Sequence, residues 1–249
     1  MDDWTNCQYP DALRPSWRSA IISLSAGSAS DDADGPVPTT SAPRRRTQEL
    51  VSKRERTRQR LVDAAFTLIG SDRGFRVRIE EVCAEAQVSR GTFYNHFSGL
   101  EDLFSVLSHE INHEFNLAVS ATITRMRDGA ERTNAAMRYY LERARRDPRW
   151  GWAMVNISAT GPLFGADTNA DALRTVEEAM AKGEFDLEDA RFGRDMILGT
   201  CLAAMITQLR EGAPENQPIM VARHILRSLG VPEERVREVI ESPLPPPTR

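Results

Sequence analysis

Apolar positions recur with a helical period along most of the chain, and no stretch alternates like a strand for long enough to compete. Leu61, Ala65, Leu68 and Ile69 fall at i, i+4, i+7 and i+8, which predicts a helix ending near Gly70. Ile79, Val82, Cys83 and Ala86 predict a short second helix, broken by Gln87-Val88-Ser89. Ser89 then stands as the N-cap of a third helix, in which Phe93 and Phe97 lie one turn apart. Beyond Ser98-Gly99 a single stripe of Leu100, Leu103, Phe104, Leu107, Ile111 and Phe115 predicts a long fourth helix. After Gly129 helical patterns continue between breaks at Asp147-Pro148, Gly161-Pro162, Gly183, Pro214 and Val231-Pro232. The expected fold is all-α, with about ten helices.

Charge changes this picture because it is unevenly placed. Residues 1–43 hold six Asp and two Arg, residues 44–97 twelve Lys or Arg against seven Asp or Glu, and residues 98–249 eighteen against twenty-three. A basic segment within a chain of net charge −4 marks a local site for a polyanion. Three dispersed cysteines without metal-ligand spacing suit a reducing cytosol, and no cofactor is expected. No apolar run reaches the roughly 20 residues of a membrane span, and the start lacks the pattern of a signal peptide. A cytoplasmic protein without a membrane partner is therefore expected. The segment 1–43, rich in Ser, Asp, Pro and Gly, is expected to be disordered, and 242–249, with four prolines, to be a flexible tail.

The informative stretch runs from Val82 to Phe97: a helix of about two turns, a tight turn and a second short helix. Small residues (Cys83, Ala86, Gly91) stand where crossing helices must approach, and Val88 suits the corner between them. The second helix offers Ser89, Arg90, Thr92, Tyr94, Asn95 and His96, all able to bond phosphates or base edges. It reads as a recognition helix. This stretch, with Arg60–Ile69, Gly74-Phe75 and Glu101-Asp102-Leu103-Phe104 beside it, resembles the TetR family of transcriptional regulators over residues 56–107. Three positions depart from the family pattern: Val77-Arg78 stands for a Thr, Gln87 for a Gly in the turn, and Leu100 for a Lys.

The resemblance implies an N-terminal three-helix domain (44–99) that binds operator DNA, and a C-terminal helical domain (100–241) for ligand binding and dimerisation. It implies a repressor released by a small-molecule effector, and DNA contacts from Arg78, Ser89, Arg90, Gly91, Thr92, Tyr94, Asn95 and His96. The basic run Arg44-Arg45-Arg46, Lys53, Arg54, Arg56, Arg58 and Arg60 is expected to add DNA contacts. A homodimer is expected through the helices near 187–211 and 216–229, with Gly193, Ile197, Cys201, Ala204 and Ile225 at the interface. Large adaptable side chains in the C-terminal part suggest a pocket lined by His113, Met126, Met137, Tyr140, Trp152, Asn156 and Met196.

One rival reading is enzymatic. His109-Glu110-Ile111-Asn112-His113 matches H-E-x-x-H, which places two histidines on one helix face with a candidate base between them. The match is short, lacks a third ligand at fixed spacing and follows a longer DNA-binding motif. No enzyme is expected.

Overall fold

The computed structural model describes residues 42–247, with side chains from Lys53 onward. Among them are ten α-helices and no strand. The expectation for residues 1–41 lies outside the described residues. Helix α1 (Ala42–Ile69) packs with α2 (Ile79–Glu85) and α3 (Arg90–Tyr94) into a small head, after a single 3-10 turn at Gly74–Arg76. Leu61, Ala65, Ile69, Val82, Phe93 and Phe97 are all but inaccessible and form its core.

Local signals set the boundaries. Ser89 caps α3, its Oγ accepting from the Thr92 N–H at 3.1 Å. At the start of α2, where the family pattern has Thr, Glu81 Oε2 instead accepts from the Arg78 N–H at 2.8 Å. Gln87, standing for the family's Gly, has φ of +52°, a left-handed conformation that costs a side-chain-bearing residue about 1–2 kcal/mol. The turn is braced by Arg60, whose guanidinium donates to the carbonyls of Ala86 and Gln87 at the end of α2.

Helix α4 (Leu100–Ile123) leads from the head into a bundle of α5 (Gly129–Arg146), α6 (Pro148–Ser158), α7 (Ala166–Ala181), α8 (Ala190–Glu211), α9 (Gln217–Ser228) and α10 (Glu233–Glu241). Each predicted break falls between two of these. Asp128, Asp147 and Asp189 cap α5, α6 and α8 through their carboxylates, and Pro148 opens α6 at a position that needs no N–H. Helix α5 is central, touching α4, α6, α7, α8, α9 and α10. The segment after α10, expected to be a flexible tail, lies back on α5. The Tyr139 hydroxyl donates to the Pro245 carbonyl at 2.6 Å, and Leu244 packs against the core.

Head and bundle meet at the C-terminal end of α1. Asn156 Nδ2 donates to the carbonyls of Ile69 (2.7 Å) and Ser71 (2.9 Å). Arg149 donates to Thr67 Oγ1 at 2.8 Å and lies over the Phe66 ring, while Arg210 pairs with Asp72 at 2.7 Å. Gly74 is required here, since a Cβ would sit 2.4 Å from Asn156 Nδ2.

Candidate nucleic-acid interface and effector cavity

The outer face of the head gathers Arg78, Arg90, Gly91, Tyr94 and Asn95, all exposed. Tyr94 is held edge-on against the buried Phe93 ring at 5.5 Å, so its phenol projects from a rigid base. Arg90 pairs with Glu80 at 2.8 Å, and its hydrogen bond to Tyr94 and the charge of Glu80 push its pKa further up. Gly91 was expected to let two helices approach. It faces outward instead: a Cβ there would meet only Ser89 Oγ, at 3.8 Å. The close internal packing falls to Cys83 and Ala86, both buried.

The other candidates serve the helix itself. The Ser89 and Thr92 hydroxyls lie 2.9 Å apart within the cap, and His96 is half-buried behind α3. Burial, then the charges of Arg54 and Arg58, lower the His96 pKa, so it is neutral near pH 7. The basic run divides similarly. Lys53 and Arg54 are exposed, but Arg58 pairs with Glu110 at 3.4 Å and covers the Phe97 ring, and Arg60 braces the turn. The side chains of Arg44, Arg45 and Arg46 lie outside the described residues.

The H-E-x-x-H stretch lies on the outer face of α4. Its Glu110 accepts hydrogen bonds from Arg58 and Gln59 of α1, both at 3.4 Å, which ties α4 to the head. The His109 and His113 rings are 4.7 Å apart and exposed. Among the described residues no three His, Cys, Asp or Glu side chains gather to hold a metal ion.

Within the bundle, α4, α5, α7 and α8 line a partly open cavity of about 70 Å³. One water needs roughly 10–15 Å³ on this measure, so the space admits several waters or one small ring. Of the predicted pocket residues, Met137 and Tyr140 line it. The rest are placed elsewhere. Asn156 is buried at the junction with α1, His113 is on the outer groove, and Trp152 lies half-buried beneath Arg210. Met126 and Met196 are half-buried at the edge of the core.

Sequence reasoning missed the polar part of the lining. The Tyr140 hydroxyl donates to Asn116 Oδ1 at 2.7 Å and lies 3.0 Å from Thr168 Oγ1, while Asn116 Nδ2 donates to Thr168 at 3.2 Å. Burial pushes the Tyr140 pKa up, only partly offset by the Thr168 hydrogen bond and the charge of Arg143. Phe164, edge-on to Tyr140 at 5.2 Å, holds a φ of +60°, a strained conformation in the cavity wall. On α4, Asn112 accepts from Trp150 Nε1 at 2.9 Å, linking that helix to α6.

The predicted interface needs correction. Gly193, Ile197, Cys201 and Ile225 are buried within the chain's own core. A Cβ on Gly193 would strike Leu187 at 2.6 Å, and Ile197 and Cys201 line the cavity. Burial pushes the Cys201 thiol up to about 12. Ala204 is half-buried, its carbonyl accepting from Gln217. The small-residue face of α8 packs on α5 and α7, as a core helix face does.

A helical head with a capped, outward-facing third helix, set on a bundle with an internal cavity, defines a helix-turn-helix regulator with a separate effector-type domain. Residues 61–107 match the family model described as bacterial regulatory proteins, tetR family, and residues 128–242 match that of the tetracyclin repressor-like C-terminal domain. The chain belongs to the TetR family of transcriptional regulators. It is similar to the crystal structure of RolR in complex with the ligand resorcinol, with a TM-score of 0.63 and 27% identity over 80% of this chain and 100% of that one. FadR from Bacillus subtilis, crystallised with stearoyl-CoA, shares the fold at a TM-score of 0.52 and 17% identity, over 69% of this chain and 96% of that one. An uncharacterised helix-turn-helix regulator of Haemophilus influenzae is 38% identical over 52 residues, 20% of this chain. That match spans only a quarter of the relative's length.

Proposed function

We propose that the chain is a homodimeric repressor that holds operator DNA through α3 and releases it when a small molecule enters the bundle cavity. The observation that carries this reading is the face of Arg90, Gly91, Tyr94 and Asn95 on a short helix whose core side, Phe93, is fixed. The exposed Arg78 and Lys53 are assigned as further phosphate partners, the former for the family's missing Thr. Bare backbone at Gly91 lets a sugar-phosphate strand come close.

Ligand entry acts through α4, which contacts α1 in the head and both α5 and α6 in the bundle. A shift of α4 changes the separation of two reading heads, and the ligand's preference for the released state supplies the free energy. RolR, similar over its whole length, was crystallised with resorcinol, and a ring of that size suits the cavity here.

The second copy is assigned to the outward face of α8. Phe192, Met196, Gly199, Ala203 and Ile206 fall at i, i+4, i+7, i+11 and i+14. Phe192 is 63% exposed, and a Cβ on Gly199 would meet nothing within 4 Å. Such a stripe of large and small side chains supports close packing of two copies. The protein acts in the cytoplasm, where its DNA is.

The test is selection from a random duplex library by the purified chain. The expected product is an inverted repeat with half-site centres about 34–36 Å apart, or a multiple of that spacing. Recovery of no common sequence would contradict the reading.

A further inference from the structure

Beside the cavity, α4 and α7 border a wide open groove, and Asn116, Ser120, Phe164, Thr168 and Asp171 line both. This shared wall contains the hydrogen-bonded ring of Asn116, Tyr140 and Thr168, one side chain from each of α4, α5 and α7. A ligand hydroxyl both donates and accepts, so it enters such a ring without leaving a partner unmatched. A hydrocarbon has neither capacity. The remaining lining, with Val119, Met137, Ile197 and Leu198, suits a flat apolar body.

Two further observations define the ligand's other end and its charge. Arg132 Nε and Thr133 Oγ1 are buried without a hydrogen-bond partner among the described residues, and both residues line the cavity. Neither atom is open to the cavity as it stands, so a second polar group meets them only when these side chains turn; leaving them unmatched is unfavourable. The Asp171 carboxylate also lines the cavity but is paired with Arg174, as the Arg132 cation is with Glu178 at 2.7 Å. With both charges matched, an anionic ligand gains no unpaired cation from Arg132, and a neutral one fits.

We propose that Asn116, Tyr140 and Thr168 form a hydroxyl-selective latch, which admits a neutral aromatic diol through the α4–α7 groove and signals its arrival to α4 by exchanging the Asn116 bond to Tyr140 for one to the ligand hydroxyl. This rests on the effector reading above. Asn116 sits one turn after Asn112, whose bond to Trp150 ties α4 to α6, and α6 in turn grips the end of α1 through Asn156. The latch thus adjoins the polar path to the reading head.

Isothermal titration calorimetry on the full chain tests it with four probes: resorcinol, phenol, toluene and benzoate. Affinity should fall from resorcinol to phenol to toluene, by roughly 10- to 100-fold for each hydroxyl lost, and benzoate should bind no better than toluene. Tyr140→Phe and the near-isosteric Thr168→Val should each weaken resorcinol about tenfold or more while leaving toluene unchanged. Thr168 is only half-buried, so this second variant keeps the test decisive if Tyr140→Phe does not fold. Toluene binding as tightly as resorcinol, or an undiminished diol preference in a folded variant, overturns the latch. If none of the four probes binds while operator binding persists, the latch falls and the DNA-binding reading stands.

Discussion

Tyr94 and Tyr140 show how differently the two halves of the molecule are built. Tyr94 is 51% exposed on α3, and its surroundings come from residues within a few positions of it. Tyr140 is 6% exposed, and its hydroxyl partners lie 24 and 28 residues away on two other helices. In the head, one short motif sets both the fold and the outward face, so spacing alone places the candidate side chains on that face. In the bundle the candidate side chains point inward, and only the convergence of α4, α5, α7 and α8 creates the cavity. Outward sites are local properties of a sequence, while internal cavities are properties of packing.

The comparison can be broken first at the surface proposed to join two copies. Ala203→Arg places a charge on the outward stripe of α8, where burial against a partner leaves it unpaired. Light scattering should show a monomer, and operator affinity should fall by roughly 100-fold or more as the coupling of half-sites is lost. A dimer indifferent to the change would move the interface elsewhere.

Next comes the junction between the two halves. Asn156→Leu leaves the Ile69 and Ser71 carbonyls without their donor in a buried position. Stability should fall by about 2–3 kcal/mol, with the melting temperature lowered by roughly 2–4 °C per kcal/mol. Ligand should also lose part of its effect on DNA release. An unchanged melt would show that Asn156 does not hold α6 to α1.

The smallest effect is expected in the turn. Gln87 adopts a left-handed conformation that Gly takes without strain. Gln87→Gly should raise stability by about 1 kcal/mol in thermal or urea melts, since relief of strain outweighs the extra flexibility of the unfolded chain. A destabilised variant would mean that the Gln87 side chain contributes contacts that compensate for its backbone.

These cases also show what was legible beforehand. Helix boundaries were, because they rest on local chemistry: Ser89 as a cap, Pro148 at a helix start, and the break at Gly183, whose φ is +70°. Met137 and Tyr140 were found as cavity residues because large side chains on an amphipathic helix turn inward. Asn116, Thr168 and Asp171 were not, since a polar residue in a helix ordinarily signals a solvent face. Asn156 was assigned to the pocket as a polar group that would orient a ligand, but its partners are the carbonyls that end α1. The stripe of Gly193, Ile197, Cys201 and Ala204 on α8 was visible, yet whether it meets a partner or the chain's own core depends on how α8 sits against α5 and α7. Gly193 was read as facing a second copy and faces Leu187 and Val176 instead.

The central claim is that α3 reads DNA through an outward face that contributes little to folding. It is tested most directly by fluorescence-anisotropy titration of the selected operator with wild type, Tyr94→Ala and Gly91→Ala, each paired with a thermal melt. Both variants should bind roughly 10- to 100-fold more weakly. Tyr94→Ala should melt close to wild type, and Gly91→Ala at or above it, because its new methyl meets only Ser89 Oγ at 3.8 Å. Wild-type operator affinity in both variants would contradict the account.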